Sequence, residues 1–214
     1  ELLTALRNKS AVFYTIPLFS DSTTMGSIVN GYLELSGKKL DEEQLALIYD
    51  NKLFETPLLL FSLLEELRIW GVYEELDDRI RYYVSSTGES DLFNKIFDRL
   101  ERDSLIVCPR IVAEVFVLLS LSRNGVADSD IAEILGIARI HVVSLLYKCH
   151  RFISVLGGRS TISHSLVTKA VKVRYADVYE NVQNKYKAYL SKRMAQSSYD
   201  NFAPLAHEMG HLLY

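Results

Sequence analysis

The sequence predicts a mainly α protein, in which a helical bundle is followed by a winged-helix domain and a C-terminal helical linker. Its 214 residues include only four prolines and ten glycines. This scarcity of turn residues favours long helices over a β-sandwich or barrel. Apolar residues make up 49% of the chain and charged residues 24%, which is ordinary for a globular protein and excludes a disordered one. At about 150 residues per domain, the length corresponds to one or two domains.

Charge and cysteine content restrict the class of protein further. The formal net charge is -3, which argues against a protein that coats nucleic acid. Cys108 and Cys149 are the only cysteines, which predicts a reducing, cytoplasmic setting. No apolar run reaches the roughly 20 residues of a membrane span. The chain begins Glu-Leu-Leu-Thr, with neither an initiator Met nor a signal-peptide pattern, and we expect it to be part of a longer protein.

The first elements are one strand and five helices. Residues 11–16 are β-branched and aromatic and precede Pro17, a pattern typical of a buried strand. A single strand is not stable alone, so we expect its sheet to belong to a domain outside this chain. Apolar periodicity then predicts helices over residues 24–36, 42–50, 57–70, 74–84 and 90–102.

Capping residues predict where two of these helices begin. Asp41 with Gln44 three residues later forms a capping box. Thr56 is predicted to cap the next helix, with Pro57 at its first position, where the missing N–H costs nothing. The first half of this helix is apolar almost all round, which predicts the central and most buried helix of its domain.

A winged helix is predicted from residue 104 onward. A buried helix over 111–121 and a turn over 123–126 lead to a short helix capped by Asp128 or Ser129. After the link at 137–139, a further helix over 140–149 completes a helix-turn-helix. Strands over 152–156 and 160–163 enclose Gly157 and Gly158, which indicates a hairpin. The remaining residues, 165–214, are predicted to be polar and helical.

Two short patterns indicate alternative functions. His207 and His211, with Glu208 between them, form a His-Glu-x-x-His motif that on a helix suits zinc, as in a truncated zinc peptidase. A catalytic site needs a third protein ligand, and no further histidine follows, so no metal is expected. The winged helix suggests a DNA-binding regulator. Its second helix is largely apolar, however, which favours contact with protein and makes nucleic acid an unexpected partner.

The order of these elements resembles the helical lid and winged helix of STAND-type, NACHT-like signalling ATPases. The lid resemblance rests on Thr56-Pro-Leu-Leu-Leu-Phe-Ser-Leu-Leu-Glu-Glu-Leu-Arg-Ile-Trp-Gly71, and the winged-helix resemblance on residues 122–136 and 162–171. Together, the two resemblances cover roughly residues 20–175. Such switch ATPases precede tetratricopeptide or other repeat arrays. The resemblance implies that Pro57 packs on the adenine and that His164 reaches the β-phosphate of ADP. Ser165 stands where the family often has Asp.

We therefore expect a regulatory module that couples ADP or ATP binding to conformational switching and oligomerisation. Neither a G-x-x-x-x-G-K-[ST] motif nor a Walker B cluster occurs in these 214 residues, so this chain alone is not expected to hydrolyse ATP. ADP or ATP with Mg²⁺ would bind the whole protein. The expected partners are its own N-terminal NTPase core and further copies of itself. The predicted division is residues 1–20 as the end of that core, 21–103 as the lid, 104–178 as the winged helix and 179–214 as the helical linker.

Overall fold

The computed structural model describes residues 21–71, 75–104, 108, 110–196 and 199–213. These residues form eleven α-helices and one three-stranded antiparallel sheet, which confirms the mainly α fold. The strand predicted over 11–16 lies outside the described residues. The chain divides into two compact units between Ser85 and Ser86.

The first unit is helical. Its elements are α1 (Ser22–Glu34), α2 (Glu42–Tyr49), a 3₁₀ helix (Lys52–Glu55), α3 (Pro57–Ile69) and α4 (Leu76–Val84). The capping box of α2 is confirmed: the Gln44 N–H donates to Asp41 Oδ1 at 2.8 Å, and the Asp41 N–H donates to Gln44 Oε1 at 3.1 Å. The predicted side-chain cap of α3 is wrong. Thr56 occupies the N-cap position, but its hydroxyl makes no cap hydrogen bond.

Helix α3 supplies much of the core of the first unit. Five of its leucines are at most 1% exposed: Leu59, Leu60, Leu63, Leu64 and Leu67. Two carboxylates on the same helix are also buried and hydrogen-bonded, because Tyr32 Oη donates to Glu65 and Tyr83 Oη donates to Glu66, each at 2.6 Å. The Lys38 ammonium donates to carbonyls at the end of α3, those of Leu67, Arg68 and the C-cap residue Trp70. This cation satisfies acceptors that a helix end leaves unpaired.

The second unit contains the sheet. Its elements are α5 (Glu89–Ser104), α6 (Ile111–Leu121), β1 (Val126–Ala127), α7 (Asp128–Leu135), α8 (Arg139–Lys148), β2 (Ile153–Leu156), β3 (Arg159–Ile162), α9 (Ser165–Arg174), α10 (Ala176–Gln196) and α11 (Tyr199–His211). The strand order is β1-β3-β2, with Val126 opposite Ser160 and Ile153 opposite Ile162. Helices α6 to α8 followed by the β2–β3 hairpin form the predicted winged-helix element.

Three glycines shape this sheet. Gly157 and Gly158 form the hairpin turn, with φ of 56° and 74°, a region that side chains rarely adopt. Gly125 precedes β1 with φ of 72°, and a Cβ there would lie 2.9 Å from the Ser160 carbonyl oxygen. Strand β1 was predicted as part of a turn. It pairs with β3 because Gly125 lets the two backbones approach this closely.

Helix α5 packs on α6 and α9 in the second unit. The Phe97 ring contacts the rings of Phe116 and Tyr175, with centroids 5.1 and 5.6 Å apart, and Phe93 contacts Phe152. Edge-to-face ring pairs of this kind stabilise the fold by more than the burial of their apolar surface alone. The sequence assigns α5 to the lid, and that division stays a prediction. The apolar face of α5 lies in the core that includes the winged helix.

The segment after the hairpin forms three helices. Helix α10 packs on α6, α7 and α11. Its tyrosines Tyr186 and Tyr189 are buried, and so is Tyr175, which immediately precedes it. These rings lie at spacings that place them on the inner side of the helix. The polar, tyrosine-rich tail is therefore part of the core of the second unit.

Candidate functional site

Pro57 begins α3 in the first unit. It is half-buried, so part of its ring is accessible to solvent. The ring fixes φ at a helical value and removes an N–H that the first turn would leave unpaired. The preceding carbonyl, that of Thr56, accepts hydrogen bonds from Leu59 and Leu60, each at 3.0 Å. Pro57 is thus held rigidly at a helix start, with a surface that a flat base could contact.

His164 is the N-cap residue of α9 in the second unit. Its side chain is exposed, and its backbone is extended, with φ of -143° and ψ of 137°. The Leu166 N–H donates to His164 Nδ1 at 3.2 Å. The His164 carbonyl accepts from Val167 at 3.1 Å, which begins the helix. His164 therefore lies at the helix N-terminus that the sequence predicts, and it is not a core histidine.

The cap bond determines which nitrogen of His164 can donate. Because Nδ1 accepts a hydrogen bond, the neutral ring carries its proton on Nε2. In the part of the chain that the structure describes, Nε2 has no hydrogen-bond partner. Protonating Nδ1 as well would remove the acceptor and break the cap. The arrangement offers a neutral N–H donor beside a helix N-terminus, a place where anions are favoured.

The His-Glu-x-x-His motif lies on α11, but its carboxylate and its imidazoles occupy different environments. His207 and His211 are exposed, whereas Glu208 is 4% exposed. Glu208 Oε1 accepts from the Arg123 N–H at 2.8 Å and from Tyr186 Oη at 3.0 Å. Its Oε2 accepts from the Asn124 amide at 2.8 Å. Glu208 is therefore fully engaged in joining α11 to the turn before β1.

This geometry counts against the zinc-peptidase alternative. A general base must be free to take a proton from a metal-bound water, and three donors of the protein already occupy the Glu208 carboxylate. Among the described residues, no group of three His, Cys, Asp or Glu side chains is close enough to hold a metal ion. Tyr186 is part of the same network, and burial raises the pKa of its hydroxyl above the ordinary value.

Helix α8 occupies the position that the recognition helix has in a DNA-binding winged helix. Its Val142 and Leu145 are buried, whereas Ile140, Val143 and Tyr147 are exposed to 68%, 40% and 79%. A DNA-reading helix presents polar side chains to base edges and phosphates. The outward face of α8 presents mainly apolar side chains, with the hydroxyls of Ser144 and Tyr147 among them.

Comparison with known proteins gives one informative similarity. No family model and no solved structure matches the chain. A TPR repeat-containing protein of Dictyostelium discoideum is 30% identical over 152 residues, which is 70% of the chain. The chain spans 9% of the length of that relative. The similarity is therefore to one part of a large TPR-containing protein.

Helices of the described residues are too short or too polar to cross a membrane. Two features were missed from the sequence. One is the burial of Glu208, which depends on residues more than 80 positions away. The other is the long stretch without acidic residues around α8, which a count along the chain could have found.

Proposed function

We propose that this chain is the lid and winged-helix part of a STAND-type signalling ATPase. In this proposal, ADP bound to an N-terminal NTPase core holds the module in a resting arrangement. Exchange for ATP releases it and permits oligomerisation. The observation that carries the proposal is His164, exposed at the N-terminus of α9 directly after the winged-helix hairpin.

The chemistry of His164 suits a phosphate contact. Its Nε2 donor is available while Nδ1 is held by the Leu166 N–H, so the ring is fixed in one tautomer. A neutral donor loses less hydration than a charged one on binding. A hydrogen bond to an ionised phosphate is nevertheless stronger than one between neutral groups. His164 is thus suited to sense whether the phosphate of a bound nucleotide is present at its position.

Pro57 would supply a second contact, in the first unit. Its half-buried ring at the rigid start of α3 suits apolar contact with a purine. The sequence has no G-x-x-x-x-G-K-[ST] motif to hold phosphates, and among the described residues no group of three His, Cys, Asp or Glu side chains could hold a metal ion. We therefore assign no step of ATP hydrolysis to them. Their role in the proposal is to detect the nucleotide and to change position with it.

The similarity to a large TPR-containing protein supports this placement. A module that precedes a repeat array is expected to occupy a small fraction of such a protein, and the chain covers 9% of the relative. A ligand shifts a conformational equilibrium only through different affinities for the two states. ADP must therefore bind the resting arrangement more tightly than the released one.

The test uses the longer protein that the proposal requires, purified with its bound nucleotide. We expect His164→Ala to lose ADP during gel filtration and to form oligomers without added ATP. His207→Ala is the matched control, because His207 is also exposed and lies on another helix, α11. Ser165→Asp should instead retain ADP more tightly. Equal ADP retention by His164→Ala and His207→Ala would overturn the proposal.

A further inference from the structure

The region around α8 differs in charge from the rest of the chain. Residues 134–176 contain no Asp or Glu, although the whole chain has 27. The same stretch holds seven cations: Arg139, Lys148, Arg151, Arg159, Lys169, Lys172 and Arg174. It covers α8, the β2–β3 hairpin and α9. In the folded unit, carboxylates from outside this stretch pair with several of these cations, so only the cations that stay exposed can contact an anionic partner.

Some of these cations already have partners within the second unit. Arg159 lies 3.9 Å from Asp130, and Arg174 pairs with Asp98 at 2.6 Å and with Glu101 at 2.9 Å. Arg139 pairs with Asp128 at 2.9 Å but keeps 65% of its side chain exposed. Lys148 is exposed and has no ion pair within the described residues. It lines a small cavity with Asp103, whose carboxylate is paired with Arg99 at 2.8 Å.

The outward face of α8 carries an apolar stripe, which we define as Ile140, Val143 and Tyr147, with the exposed Ser144 beside it. The three residues are 68%, 40% and 79% exposed and are spaced by three and four positions. This spacing puts them on one side of the helix, about 10 Å from end to end. The opposite side carries the buried Val142 and Leu145. The stripe is therefore additional to the face that α8 uses to join its own core.

Basic residues flank the stripe at both ends. By helical periodicity, Arg139 lies on one side of it at the N-terminal end and Lys148 on the other side at the C-terminal end. Helices pair through apolar side chains at this spacing, with charged residues along the edges of the contact. The pattern of α8 is therefore complementary to a partner helix that has an apolar stripe with carboxylates along its edges.

We infer that the α8 stripe binds an acidic amphipathic helix of a partner protein. The partner's apolar side chains cover Ile140, Val143 and Tyr147, and its carboxylates pair with Arg139 and Lys148. Duplex DNA fits less well, because most of the face is apolar and the donors at its centre are two hydroxyls, those of Ser144 and Tyr147, with no cation between them. The contact is separate from the proposed nucleotide sensing and requires no nucleotide. It is smaller than a standard protein interface, so we expect affinity in the micromolar range.

The test measures the fluorescence anisotropy of a labelled synthetic helix added to the 214-residue chain. Its leucines have three- and four-residue spacing and are flanked by glutamates. We expect saturable binding that weakens with added salt, since exposed charges are screened. A helix with serines in place of the leucines, and one with lysines in place of the glutamates, should not bind. Equal binding of either control helix would overturn the inference.

Variants then locate the contact. Tyr147→Ser should weaken binding about ten-fold or more, as expected for a central aromatic residue. Its matched control is Val173→Ser, which removes an apolar side chain that is 71% exposed on α9. Lys148→Glu should abolish binding, whereas Lys172→Glu makes the same charge change at another exposed position of the acid-free stretch and should not.

Three results would contradict this assignment. One is equal weakening by a variant and its matched control, which would indicate a general charge or solubility effect. Another is binding of labelled duplex DNA that survives Tyr147→Ser and is lost in Lys148→Glu, which would indicate a nucleic-acid surface. The third is no saturable binding of the acidic helix. Circular dichroism of each variant should match the parent chain, because all four altered side chains are exposed.

Discussion

Replacing Glu208 by Ala should destabilise the second unit, although the motif around this residue resembles a zinc site. The carboxylate accepts three hydrogen bonds, from the Arg123 N–H, the Asn124 amide and Tyr186 Oη. Each hydrogen bond to a charged group contributes about 1.5–3 kcal/mol. The three share one buried group, whose lost hydration offsets part of the gain, so their energies do not add. We expect a net loss of about 2–4 kcal/mol in the free energy of unfolding.

Urea unfolding followed by far-UV circular dichroism measures this loss. Hydrogen exchange then locates it, because faster exchange should appear at the turn around Arg123 and in α11. Glu180→Ala is the matched control, since Glu180 is an exposed glutamate on α10, and surface changes cost at most about 0.5 kcal/mol. Glu208→Gln keeps one acceptor and should fall between the two. Equal stability of Glu208→Ala and Glu180→Ala would refute the structural role of this carboxylate.

Three further predictions concern the core, the pH dependence and the metal. Leu64→Ala should lower the free energy of unfolding by about 2–5 kcal/mol, because this side chain is fully buried, whereas Ile69→Ala should lower it much less, because Ile69 is 43% exposed. The fluorescence of Trp70, in the same unit, measures unfolding of both variants. Equal losses would contradict the assigned faces of α3. Burial raises the pKa of Tyr189 to about 12, so the free energy of unfolding should fall from about pH 10, where the unfolded tyrosine ionises and the folded one does not. Tyr189→Phe should reduce this fall. An unchanged pH profile in Tyr189→Phe would contradict the role given to this residue. His211→Ala should leave the zinc retained after dialysis unchanged, and a loss of stoichiometric zinc would revive the peptidase alternative.

The sequence correctly predicts the elements that depend only on residues close together in the chain. Helix α6 has the predicted bounds, Ile111–Leu121, because its apolar run is continuous. The capping box at Asp41 and the glycine turn of the hairpin were also correct, since each depends on residues within a few positions. Local reasoning failed at Thr56, whose hydroxyl makes no cap hydrogen bond although the residue occupies the N-cap position.

Features that depend on residues far apart in the chain could not be predicted from the sequence. Strand β1 has two residues and exists because Val126 pairs with Ser160, more than 30 positions later. Glu208 is buried because its donors come from the turn before that strand. The exposure of the α8 stripe likewise follows from which side of the helix joins the core. For His164 the prediction of a helix N-terminus was correct, because a hairpin followed by apolar periodicity indicates where the helix begins.

The affinity for ADP of the longer protein, measured by calorimetry, tests the central claim most directly. Loss of one hydrogen bond to a charged phosphate costs about 1.5–3 kcal/mol, so His164→Ala should weaken ADP binding by about ten- to a hundred-fold. His207→Ala should bind ADP as the parent protein does, because that exposed histidine lies on α11 and not at the start of α9. If His164→Ala unfolds earlier but binds ADP with unchanged affinity, His164 only caps a helix, and the nucleotide-sensing account is wrong.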